Sequence, residues 1–494
     1  MSTPPSRAVS GSDTSFYWHD YETFGRVPRR DRPAQFAGIR TDAELNEIGD
    51  PLMLYCQPAN DYLPDPESCL LTGILPQTCL AEGVSEAAFA AAIERELGRP
   101  GTIGVGYNSI RFDDEVTRHL FWRNLIDPYG REWQNQCGRW DLLDVVRCTH
   151  ALRPEGIEWP RNAEGGPSFK LEHLTAANGL AHEAAHDALS DVRATIALAR
   201  LIKQRQPRLF DFCLKLRSKH AVIAEIASAQ NQGRPFLHIS GMYGTERGCI
   251  AVVWPLAPHP TNKNELIVWD LSADPAELLT LSPASMRERL FSKTEDLPEG
   301  VARLPIKTIH LNKSPVVIAQ LKTLSAERAA HWGIDIEQCL RHAEVAARDA
   351  PKLAGLWPEV YARPAAPGQP DVDEDLYGGF LSQNDRRTLE RLRALAPAAL
   401  TERVAGGRVV FEDVRLDELL LRYRARNHPA TLSQADQAHW QQHCHQRLHG
   451  GVPGYLTLQT FFERIDTLSE AADERGEAIL GALYDYAELI APPS

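Results

Sequence analysis

The sequence predicts a chain of three folded parts: an α/β domain, a small β-rich domain and a C-terminal helical domain. Strand-like apolar runs alternate with helical ones over residues 15–203. Beyond Pro207, short β-rich runs separated by Gly, Pro and Asn occupy residues 207–360, as in a small barrel or sheet. A Pro- and Gly-rich stretch, residues 361–375, is predicted to be a linker, and residues 376–494 have the periodicity of a helical bundle.

The composition is that of a soluble globular protein. Hydrophobic residues make up 43% of the 494 residues and charged residues 24%. No apolar run approaches the roughly 20 residues that span a bilayer. Residues 1–14 lack the apolar middle of a secretory signal and are predicted to be a disordered tail. The nine cysteines form no CxxC pair, which argues against a disulfide framework or a zinc ribbon, so we expect a cytoplasmic protein with reduced thiols.

The charge pattern leaves room for an anionic partner. The net charge of -13 concerns solubility more than any single face of the molecule. Within residues 200–220, seven Lys or Arg residues stand against one acid, Asp211. This stretch is a candidate phosphate-facing surface, and the alternative is a solvated helix face.

Two acids end the first strand-like run, "SFYWHDYETFG" at residues 15–25. In a β-strand, side chains two positions apart point to the same face, so Asp20 and Glu22 would project side by side. Like charges at that spacing repel each other unless something positive lies between them. The pattern therefore indicates a cation site rather than an ordinary strand end.

Further acids of the same domain begin two predicted helices. Asp113 lies at a helix start in "GYNSIRFDDEV", residues 106–116, and "AHDALSDVRAT", residues 185–195, places His186 and Asp191 near another helix start. Magnesium prefers oxygen ligands and is often completed by substrate phosphate. Two such ions about 4 Å apart can activate a water and stabilise the leaving oxygen of a phosphodiester. Several carboxylates from separate segments suit such a centre.

These motifs resemble a known family of nucleases. The stretches "DYETFG", "GYNSIRFDDE" and "HDALSD" look like the three exonuclease motifs of the DEDDh group, in the required order. The similarity is closer to bacterial exonuclease I, because "RWDLLDV", "SFKLEHLT", "RQPRLFD" and "YRARN" also have that family's character. The resemblance covers nearly the whole chain and leaves out only the N-terminal tail.

The resemblance implies a fold and an activity. The fold would be an α/β ribonuclease H-like exonuclease domain, an SH3-like β-barrel domain and a C-terminal α-helical domain, arranged as a C-shaped clamp around single-stranded DNA. The activity would be processive 3'→5' hydrolysis of single-stranded DNA to 5'-mononucleotides in DNA repair and recombination. It would need two Mg²⁺ ions, for which Mn²⁺ could substitute. The expected partners are single-stranded DNA and the acidic C-terminal tail of single-stranded DNA-binding protein, with no membrane and a monomeric state.

The resemblance also implies roles for individual residues. The metal ligands would be Asp20, Glu22, Asp113 and Asp191, and His186 would be the general base, a task suited to a side chain that titrates near neutrality. Glu22 would also contact the substrate. The other predicted contacts to the strand are aromatic or basic side chains: Arg118, Tyr129, Trp133, Arg147, Phe169, Lys170 and Lys219. Lys170 stands where members of the family can carry arginine, so it would offer phosphate a point charge rather than a bidentate fork.

Two alternative functions remain open from the sequence. A DEDDh ribonuclease acting on RNA 3' ends would resemble only the first domain, and the length of the chain beyond it argues against that assignment. A non-catalytic single-strand-binding scaffold would be favoured if one of the four acids were replaced, and none is.

The histidines of "HCHQRLH", His443, His445 and His449, suggest zinc, but no second ligand cluster with the usual spacing follows them.

Overall fold

The computed structural model describes residues 14–181, 187–362, 368 and 370–492. Within it the chain forms two compact units, the first comprising residues 1–138, 183–193 and 368–494 and the second residues 139–182 and 194–367. The predicted N-terminal tail and much of the predicted linker lie outside the described residues. None of the helices in the described part of the chain is long and apolar enough to cross a membrane.

The first sheet has the strand order β3-β2-β1-β4-β5. Its strands are β1 (Ser15–Thr23), β2 (Pro33–Thr41), β3 (Leu52–Tyr55), β4 (Thr102–Gly106) and β5 (Gly138–Asp141), and the chain passes from the first unit to the second within β5. Strand β1 pairs antiparallel with β2 and parallel with β4, and β2 pairs antiparallel with β3. Strands β1, β2 and β3 therefore form an antiparallel meander, and β1 is an interior strand of the sheet.

Seven helices accompany this sheet along the chain. They are α1 (Pro66–Thr72), α2 (Pro76–Glu82), α3 (Glu86–Leu97), α4 (Asp113–Arg123), α5 (Leu142–Leu152), α6 (Leu171–Ala177) and α7 (Ala188–Arg205). Helix α3 begins at a capping serine, Ser85, whose hydroxyl accepts a hydrogen bond from the Ala88 amide. Helix α4 begins with three acids in its first turn, which suits the positive end of the helix dipole.

A dry core holds α3 and α4 against the sheet of the first unit. Tyr21 and Phe36 of the sheet cluster with Phe89 of α3 and Leu120 of α4, and all four side chains are at most 4% exposed. Tyr21 belongs to the odd-numbered face of β1, so the even-numbered face is the one that can carry Asp20 and Glu22. Burial of these large side chains accounts for much of the stability of this region, at about 25 cal/mol per Å² of apolar surface.

The second unit contains another five-stranded sheet, with the order β10-β6-β7-β8-β9. Its strands are β6 (Phe236–Ile239), β7 (Ile250–Pro258), β8 (Glu265–Asp270), β9 (Ile306–His310) and β10 (Val316–Ile318). Every pairing in this sheet is antiparallel. The β-rich runs predicted between residues 207 and 360 thus form one sheet.

Helices surround this second sheet along the chain. They are α8 (Pro207–Lys215), α9 (Lys219–Gln230), α10 (Pro283–Phe291), α11 (Ala326–His331), α12 (Ile336–Leu353) and α13 (Trp357–Val360). A 3-10 helix over Pro275–Thr280 precedes α10. The 18-residue helix α12 was not predicted from the sequence.

The C-terminal part of the first unit is helical, as predicted. It contains α14 (Gln383–Arg393), α15 (Pro397–Ala405), α16 (Arg415–Asn427), α17 (Gln434–Leu448), α18 (Leu458–Ser469) and α19 (Glu474–Ile490). These six helices all lie within residues 376–494, the part of the chain with the predicted helical periodicity. The domain boundaries predicted at residues 203, 207, 360 and 375 stay predictions, because the division into compact units follows spatial contacts rather than the order of domains along the chain.

A buried ion cluster joins distant segments of the first unit. Arg426 Nη2 lies 2.7 Å from Asp61 Oδ2 and 2.6 Å from Asp373 Oδ2, and all three side chains are at most 1% exposed. The other members of the buried ion cluster are Arg32, Asp371, Arg422 and Arg447. Asp371 and Asp373 belong to the stretch predicted as a linker, so this end of it is anchored by arginines.

All nine cysteines are unpaired and buried. The most exposed is Cys137, at 8%. Burial raises the pKa of the Cys444 thiol to about 12 and that of Cys249 to about 11. These thiols are therefore packing groups, as expected from their scatter along the chain.

Candidate active site

The candidate site begins at the carboxyl end of β1. Asp20 and Glu22 lie opposite Ala37 and Gln35 of β2 in the antiparallel register. Trp18, the residue before them on the same face, is fully buried, and its indole N–H donates to the Thr41 hydroxyl at 2.9 Å. The strand thus passes from an apolar interior to two carboxylates, of which Glu22 is 9% exposed.

Helix α4 brings a third carboxylate to this place. Asp113 is the first residue of α4 and is 4% exposed. Its Oδ1 accepts a hydrogen bond from the Tyr21 backbone amide at 3.2 Å, so the carboxylate is attached to β1 between the two strand acids. The Thr117 hydroxyl reaches both the Asp113 carbonyl, at 2.8 Å, and the Tyr21 hydroxyl, at 3.0 Å.

Helix α7 supplies the fourth carboxylate. Asp191 lies in its first turn and, with Asp20 and Glu22, offers ligand atoms that are all within 4.8 Å of one another. The beginning of α7 is attached to β2, because the Ala188 amide donates to Gln35 Oε1 at 3.2 Å. The predicted clustering of the strand acids with the helix acids is therefore present in the structure.

The electrostatics of the four acids explain what the site can bind. Burial raises the pKa of Asp20 well above its ordinary value, and three neighbouring carboxylates raise it further: Asp113, Glu22 and Asp191. Burial, followed by the charges of Asp191, Asp113 and Asp187, raises the pKa of Glu22 to about 8. A divalent cation among these oxygens would offset both the burial and the repulsion, and oxygen donors are what Mg²⁺ and Mn²⁺ accept. The donor set therefore fits a hard divalent cation.

His186, the predicted general base, lies outside the described residues. Its neighbour Asp187 is described, and Asp187 Oδ2 accepts a hydrogen bond from the Ser190 amide at 3.1 Å in the first turn of α7. A carboxylate that accepts from the first turn in this way is typical of a helix N-cap.

The predicted strand contacts in the first unit differ in exposure. Trp133 is 63% exposed and Tyr129 is partly buried. Arg118 is 5% exposed, and its guanidinium donates to Glu132 at 2.7 and 2.9 Å and to Glu115 at 2.8 Å. Arg118 is therefore occupied by carboxylates and lies 5.3 Å from the ring centroid of Tyr129. Trp133 and Tyr129 present aromatic faces, whereas Arg118 supports one of them.

Two exposed aromatic residues near Tyr129 were missed by the sequence analysis. Phe380 is 82% exposed and its ring centroid lies 5.9 Å from that of Tyr129. Tyr377 is 59% exposed, and its hydroxyl accepts a hydrogen bond from Arg118 at 3.0 Å and contacts Glu115. In the sequence, these two aromatic residues stand on either side of two glycines in "LYGGF", and this short motif was the available signal for an exposed aromatic surface.

The remaining predicted contacts belong to the second unit. Arg147 Nη1 donates to Asp144, three residues earlier on α5, at 2.7 Å. Phe169 packs edge-on against His150 at 5.2 Å between ring centroids. Lys170 is largely exposed and lies 3.8 Å from Glu172, whereas Lys219 donates to Asn264 Oδ1 at 2.6 Å.

The histidines at the end of α17 contact an acid or each other. His443 Nε2 lies 3.3 Å from Asp61 Oδ2, at the edge of the buried ion cluster. His445 and His449 face each other with ring centroids 4.9 Å apart. Among the described residues, the acids with metal-binding geometry are Asp20, Glu22 and Asp191.

Comparison with known proteins identifies the family. Three family models match successive parts of the chain: Exonuclease at residues 17–199, Exonuclease I SH3-like domain at residues 217–363 and Exonuclease I C-terminal domain at residues 370–490. Exodeoxyribonuclease I of Escherichia coli is 46% identical over 483 residues, which cover 97% of this chain and 98% of the relative. The chain belongs to the exonuclease I family. The predicted resemblance, the three-part fold class and the enzyme class of exodeoxyribonuclease are confirmed.

Solved structures of the family match along the same length. The E. coli exonuclease I in complex with a dA16 oligonucleotide has a TM-score of 0.90 at 45% identity, covering 97% of this chain and all of that one. A moderately thermophilic exonuclease I from Methylocaldum szegediense has a TM-score of 0.90 at 47% identity, covering 97% of this chain and 99% of that one. Other solved structures include a zinc-bound form of the E. coli enzyme with single-stranded DNA and a complex named SSB/Exonuclease I with an inhibitor.

Proposed function

We propose that this protein is a 3'→5' exonuclease that hydrolyses single-stranded DNA to 5'-mononucleotides. The observation that carries the proposal is the convergence of Asp20, Glu22 and Asp191, with ligand atoms within 4.8 Å of one another, next to Asp113. Oxygen ligands so close together, with Glu22 buried and the other two partly buried, suit phosphodiester chemistry more than they suit a structural strand end. The solved complexes of E. coli exonuclease I with oligonucleotides support single-stranded DNA as the substrate.

The proposed cofactor is a pair of Mg²⁺ ions, with Mn²⁺ as a substitute. Asp20, Glu22, Asp113 and Asp191 would hold them. Two such ions supply positive charge at the attacked phosphate and at the leaving 3' oxygen. The zinc-bound form of the E. coli enzyme supports a site for divalent cations in the family.

The chain's own residues would perform the remaining steps. Glu22 would also contact the terminal nucleotide. His186 would take a proton from the attacking water, and protonation of the departing 3' oxygen would complete the balance of the hydrolysis. Displacement in line with the leaving oxygen requires that the terminal phosphate be held still, which is the task assigned to Lys170.

Strand binding would rely on aromatic faces and on cations. Stacking is sequence-tolerant because every base has a π-face, which suits an enzyme that must degrade any sequence. The proposed stacking residues are Tyr129, Trp133 and Phe169 from the sequence, with Tyr377 and Phe380 added from the structure. The proposed phosphate contacts are Arg118, Arg147, Lys170 and Lys219, of which Arg118 would have to exchange a carboxylate partner.

The biological setting is proposed from the family. We propose processive digestion in DNA repair and recombination, by a monomer that binds the C-terminal tail of single-stranded DNA-binding protein. The SSB/Exonuclease I complex supports the partner. An acidic tail would require a basic surface on this acidic chain, and charge complementarity would govern its rate of association.

The test is digestion of a 5'-labelled single-stranded oligonucleotide with Mg²⁺. We expect a ladder that shortens from the 3' end, that EDTA or Asp191→Ala abolishes, and that duplex DNA does not yield. Binding without shortening would support the scaffold alternative, and preferential shortening of RNA would support the ribonuclease alternative. Asp466→Ala, at an exposed position of α18, is the matched control.

A further inference from the structure

Each end of α4 is attached to the first unit by a buried ion pair. At the N-terminal end, Arg131 Nη2 donates to Asp114 Oδ1, and both side chains are 2% exposed. At the C-terminal end, Arg123 donates through Nε and Nη2 to Glu86 Oε1, at 3.0 and 2.7 Å. The two pairs have similar chemistry and burial, but only the first lies next to Asp113.

Arg131 lies behind the strand that carries the candidate ligands. A Cβ atom on Gly104 of β4 would lie 3.1 Å from Arg131 Nη1 and 3.6 Å from His19 Nε2, so the guanidinium occupies room left by the missing side chain. Burial and the charge of Arg131 lower the pKa of His19 to about 3. Since His19 and Asp20 point to opposite faces of β1, Arg131 supports the strand from the face opposite to the carboxylates.

The first turn of α4 is held on several sides. The Asp114 amide donates to the Ser109 carbonyl at 2.8 Å, and the Asp113 carboxylate accepts from the Tyr21 amide. The ion pair between Asp114 and Arg131 fixes the same turn by a third route. A shift of this turn would move Asp113, the neighbour whose charge acts most strongly on the pKa of Asp20.

Stability alone does not account for this ion pair. Burying two charges costs several kcal/mol per ion, and apolar replacements of such pairs are often neutral or stabilising. Residues that orient metal ligands from behind typically change metal affinity or activity by 10- to 100-fold when they are mutated. The position of the pair, one residue after Asp113 and directly behind β1, matches that kind of role.

We propose that Arg131 and Asp114 are positioning residues for the cation site. Their ion pair holds the first turn of α4 so that the Asp113 carboxylate faces Asp20, and it thereby sets the affinity of the site for divalent cations. This inference rests on the proposed function, in which the four acids hold the cations.

The test measures Mn²⁺ binding without DNA, by the electron paramagnetic resonance signal of free Mn²⁺, alongside the thermal midpoint Tm. We expect Arg131→Met to raise the Kd for Mn²⁺ by about 10- to 100-fold. Arg123→Met, which breaks the pair at the other end of the same helix, should lower Tm by a similar amount and leave that Kd within about twofold. Arg131→Lys, which keeps the charge, should recover part of the affinity.

Activity assays of Arg131→Met should show a higher Mn²⁺ concentration at half-maximal rate than in the native protein. The KM of this variant for DNA at saturating Mn²⁺ should be unchanged.

Equal Mn²⁺ affinity in the Arg131→Met and Arg123→Met proteins would overturn the proposal. If Arg131→Met does not fold, Asp114→Asn, which keeps the shape and a hydrogen-bonding oxygen, replaces it with the same expectation in direction. Asp191→Ala separates the two levels of inference. Loss of Mn²⁺ binding in Asp191→Ala with normal binding in Arg131→Met would reject only the positioning role, whereas unchanged binding in Asp191→Ala would reject the cation site itself and the positioning role with it.

Discussion

At the scale of single residues, the candidate site is built from groups that oppose folding when no cation is bound. The carboxylates of Asp20 and Glu22 are buried among other acids, and the pKa of each is raised. A protein keeps such an arrangement where function requires it, although other residues at the same positions would give a more stable fold. A substitution at such a position should therefore lower activity while it raises stability.

Asp20→Asn should lose activity and gain stability in the metal-free state. The amide keeps the shape of the side chain but removes one negative charge from the group of acids. Loss of a residue that only supports a metal ligand typically lowers activity by about 10- to 100-fold. Because Asp20 is itself a proposed ligand, the rate of hydrolysis should fall by more than about a hundredfold. In EDTA, Tm should rise by about 2–4 °C, as expected for about 1 kcal/mol in a domain of this size. Scanning fluorimetry with and without Mg²⁺ measures both states. A lower Tm in EDTA would show that the repulsion is not a significant cost.

Phe380→Ala should weaken binding of single-stranded DNA without lowering stability. Its ring is 82% exposed, so little packing is lost, whereas stacking on an aromatic ring contributes about 1–3 kcal/mol per base. The Kd should therefore rise by about 5- to 140-fold in a fluorescence anisotropy titration in Ca²⁺. Val414→Ala, at a residue that is 83% exposed and not aromatic, is the control. A Kd for Phe380→Ala equal to that of the control would remove Phe380 from the binding surface.

At the scale of elements, the site depends on where two helices begin. Helix α4 begins at Asp113 and α7 begins three residues before Asp191, so the position of each helix start decides where its carboxylate lies. The period of two in β1 and the acids at the helix starts made this arrangement predictable from sequence. The hydrogen bond that attaches α7 to β2 could not be predicted, because Gln35 and Ala188 are 153 residues apart in the chain.

Gln35→Leu should lower activity more than its cost in stability implies. The substitution leaves the Ala188 amide of α7 without its acceptor, at a cost of about 1 kcal/mol, and loosens the turn that holds Asp191. We expect about a tenfold lower rate at saturating DNA, comparable with other losses of support for metal ligands. Ser85→Ala removes the cap of α3, also at a cost of about 1 kcal/mol, and should leave the rate unchanged. Equal rates in the two variants would mean that α7 is positioned by other contacts.

At the scale of the whole molecule, the sequence predicted the order of architectures better than the contacts between distant segments. The α/β, β-rich and helical parts follow from local periodicity, and the acids could be grouped because their motifs occur in a known order. Two kinds of contact could not be predicted: those that place Tyr377 and Phe380 beside Arg118 and Tyr129, and those within the buried ion cluster. Both join residues that are about 250 to 390 positions apart in the chain. Helix α12 was missed because its neighbourhood is dominated by β-rich runs.

The buried ion cluster should make the protein sensitive to acid. Its arginines lower the pKa of Asp61 and Asp373 well below the ordinary value, although burial alone would raise it. A carboxylate whose pKa is lower in the folded state stabilises the fold at pH values above about 4, the unfolded value, and this contribution is lost as the pH falls through the folded value. The free energy of unfolding, from urea titrations, should therefore decrease steadily as the pH falls below about 4.

Asp373→Asn isolates the contribution of the ion cluster. Breaking a buried pair leaves arginine charge uncompensated, so the free energy of unfolding at pH 7 should fall by about 3–5 kcal/mol. Its dependence on pH below about 4 should be shallower than in the native protein, because one titrating group has been removed. Asp211→Asn, at an exposed position, should change neither quantity. A full acid dependence in Asp373→Asn would assign the effect to other carboxylates.

The burial of all nine thiols has a practical consequence for spectroscopy. Thiolates are the reactive species, and buried thiols react slowly with maleimides at neutral pH because the reagent cannot reach them. A new cysteine at an exposed position such as Val414 should therefore take up a fluorophore selectively, with the native cysteines left in place. The dye could then report each encounter with a DNA strand on an otherwise unaltered molecule.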